Sequence, residues 1–326
     1  MLAARVHSYG DVHSITVEEV DEPAVCGDAV LVDVLAVGLN AYDLLILRNQ
    51  YQVAVPVPYI PGTEFVGVVR EGAVENLFAP GDRVVGKMQT GALAERVTCP
   101  PASLHRAPEW MTIDQAASYR VAYETAIHAV RTVSSVSAGE TVLVGGAAGG
   151  VGLAILDVAK ALGLRAIAVC RPAQNGSCIA AGAWACVDRD SEDLVSEVRV
   201  LIPGGASVVF DPVGGEFSQK AVRTVRAGGT YVVLGFASGE IADLRLNRVL
   251  LNAICVTGFQ NRTVRDTHPT RAEESLQQLE RLVANRLISP NVADSYSLAN
   301  VQEAFAALSK RVGVGKTVVR MPASNG

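Results

Sequence analysis

The stretch Thr141–Gly163, TVLVGGAAGGVGLAILDVAKALG, restricts the possible fold more than any other part of the chain. Its first four residues are β-branched and apolar and read as a buried strand. Gly145, Gly146, Gly149, Gly150 and Gly152 follow. From Leu153 the apolar residues Ile155, Val158, Ala159 and Leu162 fall at helical spacing, until Gly163 supplies a stop. Strand, glycine turn and helix in that order are the context of a phosphate-binding fingerprint, because N–H groups at a helix start and the helix dipole both favour a negative group. The fingerprint is Ala147-x-Gly149-x-x-Gly152, one glycine short of G-x-G-x-x-G. Glycine-rich turns also serve plain helix–sheet packing. The flanking strand and helix nevertheless point to a dinucleotide site at Ala148, Gly149, Gly150, Val151 and Gly152.

Beyond that turn the chain alternates between strand and helix patterns. Strands are expected at Arg165–Cys170, Ala185–Val187, Ser207–Phe210 and Gly229–Leu234, with helices between them, one of them at Gln219–Val225. Such alternation builds a parallel, doubly wound sheet whose ligand crevice lies at the strand C-termini. Leu250–Gly258 reads as a further apolar strand, and Thr270-x-x-Glu273 as a capping box that starts an amphipathic helix through Leu276, Leu279, Leu282 and Val283. The first ~110 residues have another texture, with short strands separated by Gly27-Asp28, the proline-rich Val55–Pro61 and Gly81-Asp82. They suggest a small barrel-like β domain. Asn40 and Asp43 stand three apart before an apolar run and read as a capping pair.

At 326 residues there is room for two domains, each with its own core. A net charge of −5 gives no basic footprint for nucleic acid. The first residues, MLAARVHSYGD, lack an apolar signal core, and no run approaches the ~20 apolar residues of a membrane span, so a cytoplasmic location is expected. Cys26, Cys99, Cys170, Cys178, Cys186 and Cys255 show no metal-ligand spacing and read as small buried hydrophobes. The tail 323–326 is expected to be disordered.

Taken together, GLNxxD at 38–43, PGTExxG at 61–67, GDRV at 81–84, AAGGVG at 147–152, DPVGG at 211–215 and VGVGKTVV at 312–319 resemble the medium-chain dehydrogenase/reductase superfamily. In particular they resemble its zinc-free quinone oxidoreductase branch. The resemblance implies an α/β chain in which a GroES-like β-barrel substrate domain, 1–118 and 259–326, surrounds a Rossmann domain, 119–258, with the active site in the cleft between. In the zinc-dependent branch, cysteine and histidine ligands stand where alignment puts Asn40, Thr63 and Val121 here. An amide, a hydroxyl and an alkyl group do not replace thiolate and imidazole. The four-cysteine lobe of that branch is also missing, since only Cys99 follows GDRV in that region. No metal is therefore expected, and without a Lewis acid to hold an alkoxide, reduction of an electron-poor acceptor is the better expectation than alcohol oxidation.

An NAD site keeps Asp or Glu about 20 residues beyond its last motif glycine, at the end of the second strand. This chain has AVCRPAQNGS there, with no carboxylate and with Arg171 instead. A guanidinium pairs with a 2′-phosphate that a carboxylate repels, which points to NADPH. Arg189 falls by alignment where family members often hold that phosphate with a tyrosine. Surface arginines beside a sheet are also commonly just solvated. The resemblance further puts Asn40 and Thr125 at the nicotinamide amide or ribose, and Phe236, Ala237 and Phe259 beside the cofactor. It makes Lys316 a contact that helps close the cleft, against the plainer reading of a solvated lysine. Tyr51 matches a pocket tyrosine able to donate to a substrate carbonyl, though a tyrosine before a proline loop also packs. Asn40 and Tyr51 are the catalytic candidates. The implied activity is an NADPH-dependent reductase acting on a quinone or related conjugated carbonyl, working as a homodimer. An enoyl reductase of acyl thioesters and a noncatalytic NADPH-binding protein are the alternatives.

Overall fold

The computed structural model describes residues 1–72, 77–134, 136–310 and 313–322; the tail 323–326 lies outside them, as does Val312 of the last motif. The chain divides into two compact units, Met1–Val121 with Pro290–Gly326, and Ala122–Ser289.

In the first unit, strand Val30–Gly38 carries the sheet. It is antiparallel to Glu64–Glu71, to Lys316–Arg320 and, through its first half, to Arg96–Cys99. Arg83–Lys87 and Leu104–Arg106 extend the sheet on one side, and Val292–Ser297 pairs in parallel with Lys316–Arg320 on the other. A hairpin of Leu2–Val6 and Ile15–Glu19 joins by bridges to Ala94 and Tyr59. Val30, Val32, Val37, Phe65, Val84 and Val319 face one core, with Leu47 and Phe305 from two helices. The β domain expected from the turn signals is present. Its closing strand comes from the far end of the sequence.

The second unit is a six-stranded, wholly parallel sheet in the order Ala183–Asp188, Arg165–Cys170, Thr141–Val144, Ala206–Asp211, Val225–Val233, Cys255–Gly258. Strand order reverses between Thr141–Val144 and Ala206–Asp211, and the glycine turn sits at that switch.

Several boundaries differ from the expectations. The helix expected at Gln219–Val225 is Gly215–Ala221, started by the positive φ of Gly214 and Gly215, and Val225 already opens the next strand. Of the expected strand Leu250–Gly258 only Cys255–Gly258 is extended, because Leu246–Leu251 winds into a helix. The capping box at Thr270 does not form. Helix Asn261–Thr267 runs up to His268, and the next helix begins at Pro269, whose fixed φ suits a first helical position. That helix, Pro269–Ala284, also moves the second boundary from 258 to 289. It buries Leu279, Leu282 and Val283, and Ser275 hydrogen-bonds Thr132 (2.8 Å) within the second unit. Among the cysteines, Cys26 and Cys255 are exposed and Cys186 half-buried, so only Cys99, Cys170 and Cys178 are interior hydrophobes. No helix of the described residues is long and apolar enough to cross a membrane.

Candidate functional site

Because the sheet of the second unit is parallel, all its strands end on one edge, and most of the expected cofactor contacts follow those ends. The turn after Val144 bends at Gly146 (φ +54°), and Ala147 N–H donates to Val169 O (3.1 Å). Gly149 is the N-cap of helix Gly150–Ala161. The opening N–H groups of an α-helix have no intrahelical acceptor, so Gly150, Val151 and Gly152 present donors to an anion. A Cβ on Gly152 would lie 2.5 Å from Gly146 O and 2.6 Å from Ala147 Cα. The turn and the helix therefore meet at backbone distance, as a phosphate cradle requires. Ala148 is buried beneath it.

Arg171 follows strand Arg165–Cys170 and starts a short 3-10 turn, its own N–H donating to Gln174. Arg189 follows the neighbouring strand and donates its N–H to Cys170 O (2.9 Å), which places the two arginines side by side. Both are exposed. Arg189 pairs with Asp190 (3.1 Å), whereas the Arg171 guanidinium has no partner among the described residues. Phe236 and Ala237 follow strand Val225–Val233; Ala237 N–H is held by Pro212 O (2.9 Å), and the Phe236 ring is partly exposed. Asp211 fixes the loop between, accepting from the N–H groups of Val213 (2.7 Å) and Gly214 (3.0 Å) and from the hydroxyls of Ser218 and Tyr231. Phe259 follows the last strand, with its ring stacked on His128 (6.1 Å). Thr125 is half-buried on helix Arg120–Ile127 of the same unit.

Asn40 and Lys316 belong to the first unit and meet there in a buried polar cluster. Lys316, at the head of the last strand, is not solvated. Its ammonium donates to Glu64 Oε1 (2.7 Å), Asn40 Oδ1 (2.5 Å) and Leu39 O (2.7 Å), which uses all three of its N–H bonds within the protein. Asn40 Nδ2 donates to Thr63 Oγ1 (3.1 Å) and Glu64 Oε1 (3.0 Å), and Glu64 Oε2 accepts the Val121 N–H (3.0 Å). Of the positions aligned with zinc ligands, Asn40 and Val121 thus meet on the Glu64 carboxylate, and Thr63 is joined to them through Asn40. Among the described residues no group of three or more His, Cys, Asp or Glu is arranged to hold a metal ion.

Only half of the expected capping pair forms. Asp43 accepts the Asn40 N–H (2.7 Å), but the Asn40 amide is engaged by Lys316, Thr63 and Glu64 instead of capping helix Ala41–Leu47. Asp43 is 2% exposed, and Thr63 Oγ1 lies 3.4 Å from its Oδ2. Burial pushes its carboxyl up to about 7; Glu64 adds to that push, while the Asn40 N–H, Lys316 and Thr63 oppose it. With Asp43 protonated, the Asp43–Glu64–Lys316 set is neutral. Tyr51 is half-buried, its ring stacked on that of Tyr42 (5.6 Å).

Sequence reasoning missed Glu64, Tyr42 and the burial of Asp43. A signal was present for two of the cluster's members: Glu64 and Lys316 each open an otherwise apolar strand, EFVGVV and KTVV, where an unpaired charge is costly.

Residues 150–285 match the family described as zinc-binding dehydrogenase, and residues 27–109 match the alcohol dehydrogenase GroES-like domain. A quinone oxidoreductase-like protein 2 of Mus musculus is 33% identical over 94% of this chain and 89% of its own length. Among solved structures, the Escherichia coli quinone oxidoreductase complexed with NADPH is similar at a TM-score of 0.88 and 26% identity, covering 98% of this chain and 100% of that one. A quinone oxidoreductase of Pseudomonas syringae gives 0.87 and 26%, over 98% and 99%.

Proposed function

The chain belongs to the quinone oxidoreductase branch of the medium-chain dehydrogenase/reductase superfamily, and from that premise we propose that it is a zinc-independent reductase that passes hydride from NADPH to a quinone or related conjugated carbonyl. Bound NADPH supplies the hydride. The N–H groups of Gly150–Gly152 would hold its pyrophosphate, and Phe236, Ala237 and Phe259 would flank it at the strand ends. Thr125 and Asn40 would take the nicotinamide side, and Tyr51 would donate to the acceptor carbonyl. Lys316 acts through Asn40 on this reading, since its ammonium is occupied by Asn40, Glu64 and Leu39.

One observation carries the cofactor assignment. The strand that ends at Cys170 delivers Arg171, unpartnered among the described residues, where an NAD site keeps a carboxylate. A charge-assisted hydrogen bond to a phosphate contributes about 1.5–3 kcal/mol, or about ten- to a hundredfold in affinity. NADPH is expected to bind more tightly than NADH by that factor, with the preference shrinking as salt rises. Arg171→Ala should raise the KM for NADPH and leave that for NADH nearly unchanged. Equal weakening of both cofactors would remove Arg171 from the site. The acceptor class is tested by NADPH consumption over quinones, enones and acyl thioesters. Fastest turnover on a thioester would replace the quinone reading with an enoyl reductase, and binding without turnover on any acceptor would make this a noncatalytic protein.

A homodimer is part of the same reading. Strand Cys255–Gly258 is an edge of the parallel sheet, and the adjoining helix leaves Leu246, Leu250 and Leu251 75–80% exposed. Light scattering at micromolar concentration should give twice the 34.2 kDa chain mass; a monomer mass there counts against it.

A further inference from the structure

At the edge of the parallel sheet opposite the glycine turn, the second unit holds a cavity of about 270 Å³ lined by Arg199, Arg223, Arg248 and Asn252, with Val195, Val222 and Val225. Helix Leu194–Leu201, the turn Val222–Thr224 and helix Leu246–Leu251 meet there. Val225 opens its strand, so the cavity lies at the strand N-termini, about 20–25 Å along the sheet from the cofactor edge. Arg199 is fixed by two main-chain carbonyls, donating to Pro203 O (3.0 Å) and Arg223 O (3.1 Å). The end of helix Leu246–Leu251 is pinned as well, because Asn252 O accepts the Gly228 N–H (2.9 Å).

The positive charge of this cavity is poorly balanced. A helical arginine can pair with a carboxylate three or four residues away. At those spacings Arg199 has Val195, Ser196, Ile202 and Pro203, and Arg248 has Leu244, Arg245, Leu251 and Asn252. The Arg248 guanidinium is half-buried and has no hydrogen-bond or ion-pair partner among the described residues. Among those residues the carboxylate whose charge reaches the group is Asp193, near Arg223, and it is engaged in capping helix Leu194–Leu201 through the Ser196 N–H (3.1 Å). Three guanidinium groups against one carboxylate leave two positive charges around the cavity, in a chain whose net charge is −5.

We propose that this cavity is a second anion site, separate from the cofactor's phosphates, and that it takes a small phosphate monoester. A monoester carries about −1.5 to −2 at neutral pH, which matches the two unbalanced positive charges. Guanidinium forks suit phosphate oxygens, and Arg199 has spent only two of its donors on the protein. The valines decide between bare phosphate and an ester. Val222 and Val225 are buried, and with Val195 they offer apolar wall to a carbon body beside the phosphoryl group. Sites for drug-sized ligands usually measure about 300–1,000 Å³, so this smaller cavity suits an ester of one ring or short chain and excludes a dinucleotide. Arg248 and Asn252 stand four apart on one row of their helix, and Leu246 and Leu250 on another, so the leucines assigned to the dimer contact are not the cavity's residues.

The test is isothermal titration calorimetry of the full chain with phenyl phosphate and with inorganic phosphate, in saturating NADPH so that the cofactor's own phosphate positions are filled. Phenyl phosphate should bind with a Kd of about 1 mM or tighter, and inorganic phosphate about tenfold more weakly for want of the apolar contact. Both affinities should fall as salt rises. Arg248→Gln removes a guanidinium that holds no other protein group, so the melting temperature should stay while phenyl phosphate weakens about tenfold or more. Arg171→Ala, at the other edge of the sheet, should leave phenyl phosphate binding unchanged. No saturable heat up to about 10 mM, or equal binding by the wild type and Arg248→Gln, overturns the site. Equal affinity for the two probes overturns the monoester, and loss of binding in Arg171→Ala assigns the heat to the cofactor site instead. If the chain binds no NADPH, the cofactor reading falls, and the same titration without it decides this site by the Arg248→Gln comparison alone.

Discussion

Replacing Lys316 with methionine is expected to cost the first unit about 3–5 kcal/mol, the usual penalty for removing one partner of a buried ion pair. Lys316 and Glu64 are 8% and 1% exposed at their side chains and 2.7 Å apart. Methionine fills nearly the same volume, so the loss is electrostatic. It leaves the Glu64 carboxylate without its cation and leaves Leu39 O and Asn40 Oδ1 without their donor. The measurement is hydrogen exchange of the amides of Lys316–Arg320 and Glu64–Glu71, which reports local opening free energy directly. Lys316→Met combined with Glu64→Gln should recover much of the loss, because no uncompensated charge then remains. A single variant as protected as the wild type would show that water reaches the pair.

That pair also shows where the sequence stops being legible. The parallel sheet was readable because strand, turn and helix alternate locally, and each pattern needs only its own neighbours in sequence. Arg171 was readable for the same reason, lying a fixed step past a recognisable glycine. The cluster around Asn40 was not, because it depends on pairing over long separations: Val318 lies opposite Gly38, and Lys316 reaches Asn40 and Glu64 from the far end of the chain. A lysine before an apolar strand looks solvated until its partner strand is known. Asp43 was misjudged by a different route. The capping motif explained it well enough locally that its burial went unsuspected, yet the structure makes half the cap and sets the same carboxyl oxygen, Oδ2, against Thr63. Local rules failed likewise at Thr270, where Pro269 outranked a capping box, and at Leu250, whose apolar run is helical and exposed. These failures fall where tertiary pairing or the surface decides, and few fall within the sheet of the second unit.

The glycine turn allows the same substitution to be given opposite signs at two places in one domain. At Gly152 an added Cβ would sit 2.5 Å from Gly146 O, 2.6 Å from Ala147 Cα and 2.8 Å from Ala147 C. All three are backbone atoms, so no side-chain rotation relieves the overlap, and helix Gly150–Ala161 has to move off the turn. Overpacking of this kind costs about 1–3 kcal/mol. The displaced helix start would also carry its N–H groups away from the phosphate position, so Gly152→Ala should weaken NADPH at least tenfold in addition to lowering the melting temperature. Gly176, in helix Asn175–Ala180, has nothing within 4 Å of an added Cβ and no positive φ. There Gly176→Ala should stabilise by about 0.5–1 kcal/mol through helix propensity and leave NADPH binding alone. Thermal melts and cofactor titrations on the two variants decide the matter. If Gly152→Ala binds NADPH as well as Gly176→Ala does, close approach of turn and helix is not what builds the cradle, and the assignment of the phosphate to this turn is wrong.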